Sequence, residues 1–393
     1  MTPTSWRPSV AGTGVLADLA ALDALEEELL YVFVGGPSKG EVVATALPQR
    51  AGWIVVDGAV VDGESIALSL VRRFEESGYP AKVAAFVLTH PHDDHVGGIP
   101  QLLEAVPPEA VWVTAAQPEG PHLLQVCRSM IARLRGLPTS KQNSFRGVRA
   151  ALSALAKWEE KTGRALGCAV EGQRIEIRGT PVSLDVRAPK PGSDLDAILA
   201  ELADGHRHRA NEASVVLEVL FGESRLVLGG DLPRSKTPDG ASLPTGWDTV
   251  MTDHPHLAEH VLLKLAHHAS RAAWHDVLMA APPSKGREWT VTPFSSSKLP
   301  RDDQMTDLTS RQSPIRVTHP PPAWAKFTGW RLPAVELRSR REAEPTGDAF
   351  ADAADDIRPV RARSVMAPIW AMAYRPDGSL AGLWRGDGTV EIT

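Results

Sequence analysis

One stretch constrains this 393-residue chain more than any other: Phe86-Val87-Leu88-Thr89-His90-Pro91-His92-Asp93-Asp94-His95-Val96-Gly97-Gly98. The apolar run, rich in β-branched and aromatic residues, reads as a buried strand, and it ends abruptly in potential metal ligands before a glycine pair. His90 and His92, two apart on an extended turn, can point at one metal ion, while Asp94 and His95 can turn toward a second one beside it. A solvated turn is the plainer reading of any histidine cluster. Against it stand three imidazoles and two carboxylates within six residues, delivered by a strand and followed by Ile99, Leu102, Leu103 and Val106 at helical spacing. The pattern suits a two-metal hydrolytic site.

Thr89 to Gly98 resembles the signature loop of metallo-β-lactamase-fold hydrolases. The resemblance implies an α/β fold, a four-layer αββα sandwich with the metals at its edge, and leaves the substrate open. Further motifs resemble the family's DNA-internalisation competence branch. The strand Trp53-Ile54-Val55-Val56 ends in Asp57-Gly58, so that Asp57 matches an acid that orients a ligand histidine from behind; a plain turn aspartate is the alternative. Leu228-Gly229-Gly230-Asp231-Leu232 follows a hairpin of two apolar strands, and Asp231 matches the family's bridging aspartate. A carboxylate at the end of a buried strand can place one oxygen on each of two metals.

Leu263-Lys264-Leu265-Ala266-His267-His268-Ala269-Ser270 resembles the branch's Leu-Lys-Val-x-His-His-Gly-Ser, with Ala269 where the family has glycine, which implies a slightly different turn. His267, first after the strand, is the expected ligand, with His268 as an outer or proton-transfer group. The resemblance thus implies one metal on His90, His92 and Asp231, and a second on Asp94, His95, Asp231 and His267. The family's third histidine on the first metal is missing, Ala210 and Asn211 occupying its place; His206 or His208 could reach in, with His208 retained as a candidate ligand and solvated loop residues as the alternative. Asp94, Asp231 and His268 are the expected catalytic groups, with Asp57 and Ser270 behind them. Ser270 or Arg271 could hold a phosphate oxygen.

Two divalent cations are therefore expected, zinc fitting the nitrogen and oxygen donors best and manganese or iron remaining compatible. The expected function is a metal-dependent hydrolase in which water activated at the cations attacks the substrate, most readily a phosphodiesterase or nuclease whose partner is nucleic acid or another phosphodiester. A small-molecule hydrolase of lactams, lactones, thioesters or phosphocholine-type esters is the alternative, and a catalytically silent metal-binding scaffold a third reading.

The net charge of −6 argues against a uniformly basic nucleic-acid surface but allows a local patch. One such patch is the segment 128–165, where Arg128, Arg133, Arg135, Arg146, Lys157 and Lys161 far outnumber the acids; it reads as a basic helical insertion. Two cysteines, Cys127 and Cys168, cannot form a disulfide framework. No secretory signal and no membrane-spanning apolar run are visible, so a cytoplasmic protein without membrane contact is expected. The expected organisation is a hydrolase domain over 1–335, a solvated linker over 336–365 and a small C-terminal β-meander over 366–393 as an appendage. The oligomeric state is not legible.

Overall fold

The computed structural model of the chain describes residues 17–37, 40–115, 123–138, 145–191, 201, 209–234, 246–280, 287–295, 298–311, 314–319, 368–387 and 389–392. The expected linker lies outside the described residues, as do His206 and His208. In chain order the strands of the first half are β1 (Ala17–Asp18), β2 (Leu30–Gly35), β3 (Glu41–Ala46), β4 (Trp53–Gly58), the small ribbon β5 (Val60–Val61) and β6 (Glu64–Ser65), β7 (Val83–Leu88), β8 (Val111–Thr114) and β9 (Gly167–Ala169). The second half contributes β10 (Arg174–Glu176), β11 (Val182–Ala188), β12 (Val216–Phe221), β13 (Ser224–Leu228), β14 (Leu262–Lys264), β15 (Glu288–Val291) and β16 (Ile315–Val317). The chain closes with β17 (Ile369–Tyr374), β18 (Leu380–Arg385) and β19 (Val390–Ile392).

Among the described residues one sheet runs β1-β18-β17-β2-β3-β4-β7-β8-β9 and the other β10-β11-β12-β13-β14-β15-β16-β19. The central strands β2, β4 and β7 are apolar on both faces because both faces are covered. In β2, Leu30, Val32 and Val34 enter the core shared by the two sheets, while Tyr31 and Phe33 join the core on the other side with Ile66, Leu70 and Phe74. In the second sheet, Leu226 and Leu228 face the shared core, and Val227 packs with Trp247, Leu257 and Met305 on the outer side. Three cores between four layers make the αββα sandwich.

The helix Ile66–Glu76 shows how local sequence sets an element. Ser65 caps it by accepting a hydrogen bond from Leu68 N at 3.4 Å, and the chain leaves after Ser77 through left-handed Gly78. It carries the chain from β4 to β7, which pair in parallel as a strand-helix-strand unit requires. Among the described residues, the helices Leu123–Gly136 and Arg146–Thr162 make up most of the basic insertion expected over 128–165. It is no loose addition: Val148, Leu152, Leu155 and Trp158 are buried in the outer core of the first sheet, and Trp158 Nε1 donates to Pro108 O at 3.1 Å. Lys157, Lys161 and Arg164 are exposed on its surface.

The C-terminal strands depart from the expected appendage. β17 pairs antiparallel with β2 along its whole length, from Ile369 opposite Gly35 to Tyr374 opposite Leu30. β18 pairs with β17, whereas β19 leaves for the other sheet and pairs with β16. Trp370, Met372 and Tyr374 lie in the shared core, and Trp370 Nε1 donates to Val317 O at 2.9 Å. The Asp377-Gly378 turn makes the expected hairpin, but alternation and turns are short-range signals and carry no record of a partner strand at the far end of the chain. Among the described residues no helix is long and apolar enough to cross a membrane.

Candidate metal centre

The candidate centre sits where parallel strands of both sheets end, the crevice position favoured in α/β folds. Asp57 lies at the end of β4, the loop His90 to His95 follows β7, Asp231 follows β13, and His267 and His268 follow β14. The sheets meet here directly: Val215 N donates to Thr89 O at 3.0 Å.

Asp57 adopts a left-handed φ of 59°, a conformation aspartate tolerates better than most residues, and its side chain turns under the histidine loop. One oxygen accepts from Thr89 N at 2.8 Å; the other accepts from Thr89 Oγ1 at 2.7 Å and faces His95 Nδ1 at 2.7 Å. A carboxylate so placed assigns the proton of His95 to Nδ1 and frees Nε2. The Thr89 hydroxyl, having given its proton to Asp57, can only accept from His90 Nδ1 at 3.1 Å. Ser214 Oγ, 3.2 Å from the same nitrogen, also accepts from Asp231 N at 3.1 Å. His268 Nδ1 donates to the carbonyl of Thr292 at 2.6 Å. In all three imidazoles the outer nitrogen is held from behind, and Nε2 is left to face inward.

Among the described residues two donor groups form around Asp231. Glu41, His95, Asp231 and His268 offer atoms within 4.8 Å of one another, and so do His90, His92 and Asp231. His95 Nε2 lies 3.4 Å from Asp231 Oδ1, and His268 Nε2 lies 2.9 Å from Asp94 Oδ2 and 3.7 Å from Asp231 Oδ2. His92 Nδ1 and Asp94 Oδ1 approach to 3.0 Å without hydrogen-bond geometry.

The donor set fits divalent cations on one structural criterion. His90 Nε2, His92 Nδ1, Asp94 Oδ1, His95 Nε2 and Asp231 Oδ1 are all buried and have no hydrogen-bond partner among the described residues. Buried polar atoms are nearly always satisfied, so several orphaned lone pairs gathered in one place call for a shared positive partner. The electrostatics agree. Burial opposes charge on His95, yet Asp231, Asp57, Glu41 and Asp94 outweigh it and raise its pKa well above the ordinary histidine value. Burial likewise works against the Asp231 carboxylate, but His268 and His95 hold it well below the usual range. For His90, burial dominates, His95 adds to it, and the ring is kept neutral with a lone pair to give.

Of the histidine doublet, the structure brings the second ring, not the first expected from chain order, into the donor group. His267, His268 and Ala269 take left-handed φ angles of 50°, 52° and 60°, so the chain turns sharply as it leaves β14. The turn brings His268 into the donor group, where it is buried and stacked on Phe294 with ring centroids 5.0 Å apart; His267 is half-buried beside it. Ala269 accepts the conformation for which the family resemblance has glycine, at a cost of about 1–2 kcal/mol. Ser270 faces its own turn, capping Arg271–Ala273, and Arg271 pairs with Asp307 and lies over the Trp274 ring at 5.6 Å. Neither contact points toward the cluster.

Glu41, Thr89, Ser214, Lys264 and Thr292 are the residues that reading the sequence for ligands passes over. Two had a signal. Glu41 opens an otherwise apolar strand, and Lys264 interrupts the run Val261 to Ala266; a charge inside a buried strand announces a partner.

The sequence model of the metallo-beta-lactamase superfamily matches residues 42–265, more than half of the chain. A search of curated proteins finds no match. Similar solved structures include a metallo-beta-lactamase from Staphylococcus aureus subsp. aureus COL, 11% identical with a TM-score of 0.28, covering 52% of this chain and 43% of its own. An archaeal metallo-beta-lactamase superfamily protein from Sulfolobus tokodaii is 16% identical with a TM-score of 0.30, covering 61% of this chain and 79% of its own. The hydrolase AbOPH of the beta lactamase superfamily is 16% identical with a TM-score of 0.30, covering 57% and 76%.

Proposed function

This chain belongs to the metallo-beta-lactamase superfamily, and from that premise we propose that it is a metal-dependent phosphodiesterase acting on nucleic acid or a related phosphodiester. The observation that carries the reading is the set of buried, partnerless donor atoms on His90, His92, Asp94, His95 and Asp231. His90, His92 and Asp231 would hold one cation; His95, His268, Asp94 and the shared Asp231 would hold the second. Zinc suits these donors, and manganese or iron binds the same types. When bound, such cations act as Lewis acids that bring the pKa of water toward neutrality and neutralise charge on a phosphoryl group.

The chain's own residues do the rest. Asp57 holds the Nδ1 proton of His95, and Thr89 with Ser214 holds that of His90, so both rings keep their inward lone pairs without searching rotamers. The Thr292 carbonyl does the same for His268. His92, with 22% of its side chain exposed, marks the open side from which a substrate would enter; the other imidazoles are sealed from water.

A phosphodiester substrate is favoured by the several motifs that resemble those of the competence branch and by where the basic helix Arg146–Thr162 begins. A side-chain carbon built on Gly147 would lie 3.2 Å from Asp93 Oδ1, so this helix starts against the metal loop, with Arg146 exposed at its first position. A cation beside the mouth suits a phosphate backbone. The test is zinc- or manganese-loaded protein with single- and double-stranded DNA and RNA, chromogenic phosphodiesters, β-lactams and thioesters. Cleavage of phosphodiesters that disappears in His92→Ala is the expected result. Turnover of the lactams or thioesters alone would transfer the site to small-molecule hydrolysis.

A further inference from the structure

A buried ion pair lies behind the metal centre and joins the two sheets. Glu41 opens β3 in the first sheet and Lys264 closes β14 in the second; they are 3% and 1% exposed and are in direct contact, Lys264 Nζ to Glu41 Oε2. A lysine and a glutamate this deep are retained only when paired, since either charge alone in the interior is strongly unfavourable.

The pair touches the supports of the centre at several points. The oxygen of Glu41 that meets Lys264 also accepts from Thr292 Oγ1 at 2.7 Å, and the Thr292 carbonyl is the group that fixes His268. Lys264 Nζ reaches the carbonyl of Gly230, the residue before Asp231, at 3.4 Å. Glu41 N donates to Asp94 O at 2.9 Å.

Glu41 belongs by distance to a donor group, but its direction of approach differs from that of the other members. It lies 3.7 Å from His95 Nδ1 and 3.7 Å from His268 Nδ1, the nitrogens already committed to Asp57 and to the Thr292 carbonyl. Asp94 and Asp231 face the Nε2 side of the same rings. Glu41 therefore stands behind the imidazoles, with its charge answered by Lys264.

We propose that Glu41 and Lys264 act as a matched positioning pair that tunes the metal affinity of the centre from behind, with the lysine holding Glu41 out of the coordination set. The inference rests on reading the cluster as a metal site. Its logic is one of compensation: removing one charge exposes the other to the cations, and removing both restores the balance.

The experiment measures zinc affinity by competition with a chromogenic chelator, alongside melting temperatures of the metal-free chains. The wild type is compared with Glu41→Gln, Lys264→Met and the double variant. Glu41→Gln leaves an ammonium facing the centre and is expected to weaken zinc binding about tenfold or more, the size of effect usual for groups that support ligands. Lys264→Met should shift affinity in the opposite direction, and the double variant should return to the wild-type value. A double variant as weak as Glu41→Gln would make Glu41 a ligand and overturn the proposal. Equal affinities with altered melting would leave the pair a purely structural contact, and also overturn it. Should a single variant fail to fold, wild-type affinity in the double variant still supports compensation and weakened affinity refutes it. A wild type that binds no metal would remove the functional reading itself, a result distinct from either pattern.

Discussion

The first sheet supplies its share of the centre from one loop of six residues, His90 to His95, whereas the second sheet supplies Asp231 and His268 from the ends of different strands. The anchoring differs in the same way. The first loop is held by a side chain, Asp57, which binds its entry at Thr89 and its exit at His95. In the second sheet a backbone carbonyl, that of Thr292 beyond the neighbouring strand β15, holds His268, and the direction of His268 is set by a left-handed turn. Donor groups on one loop are placed by local geometry; donor groups on separate strands are placed by the register of the sheet and by packing.

Asp231 is the one donor common to both groups, so its loss tests the convergence most severely. Asp231→Ala is expected to abolish stoichiometric metal binding at both positions and the zinc-dependent rise in melting temperature, because it leaves several buried groups without their shared counter-charge, a loss of about 3–5 kcal/mol. Metal analysis showing full occupancy in that variant would mean that the two halves bind separately.

Next in size is Trp370→Ala in β17. As a central strand with Trp370 in the shared core, it should cost about 3–5 kcal/mol in denaturant unfolding. A change no larger than the about 0.5 kcal/mol of a surface substitution would return β17 to the status of an appendage.

The histidine doublet sharpens the contrast between the sheets. His268→Ala should lower metal affinity about 100-fold and His267→Ala far less, the upper end of the range for groups at a metal site; the reverse order would reinstate the assignment made from chain order. For the first loop, Asp57→Asn keeps the shape but not the charge behind His95, and about a tenfold loss of affinity in the same titration is expected. An unchanged value would show that the loop holds itself.

The smallest expected effect is on pH. In the metal-free protein burial opposes the charged forms of His95 and His268, but the surrounding carboxylates raise both pKa values. Groups raised above their unfolded value of about 6.5 contribute stability that is complete below that pH and is lost as pH rises through the folded values. Cations compete with protons for the same nitrogens, so stabilisation by zinc must run the other way and grow with pH. Melting curves with zinc and with chelator between about pH 6 and pH 8 should diverge steadily; parallel curves would mean that the cations do not engage these rings.

Much of this architecture is legible in residue order. Apolar runs on both sides of a helical stretch announced the strand-helix-strand unit and the 90–95 loop at its end, while Asp57 and Asp231, each at a strand end, were named through their resemblance to family motifs. The doublet resisted because one turn of φ decides which ring faces inward, and both residues are histidine. The C-terminal strands resisted because Trp370 and Met372 read as an alternating hairpin whether they lie at an edge or in a core.

By itself, then, the order of residues determined the donor types of the 90–95 loop and their delivery by a strand end, since these follow from hydrophobic pattern and short-range spacing, while the sandwich that holds them was implied by the family resemblance of that loop. Only the tertiary structure decided that His268 rather than His267 meets Asp94, that Glu41 and Lys264 find each other across the two sheets, and that β17 lies against β2. Each of these is a contact between segments distant in the chain, selected by burial and charge pairing after the strands have assembled, and no local pattern encodes it.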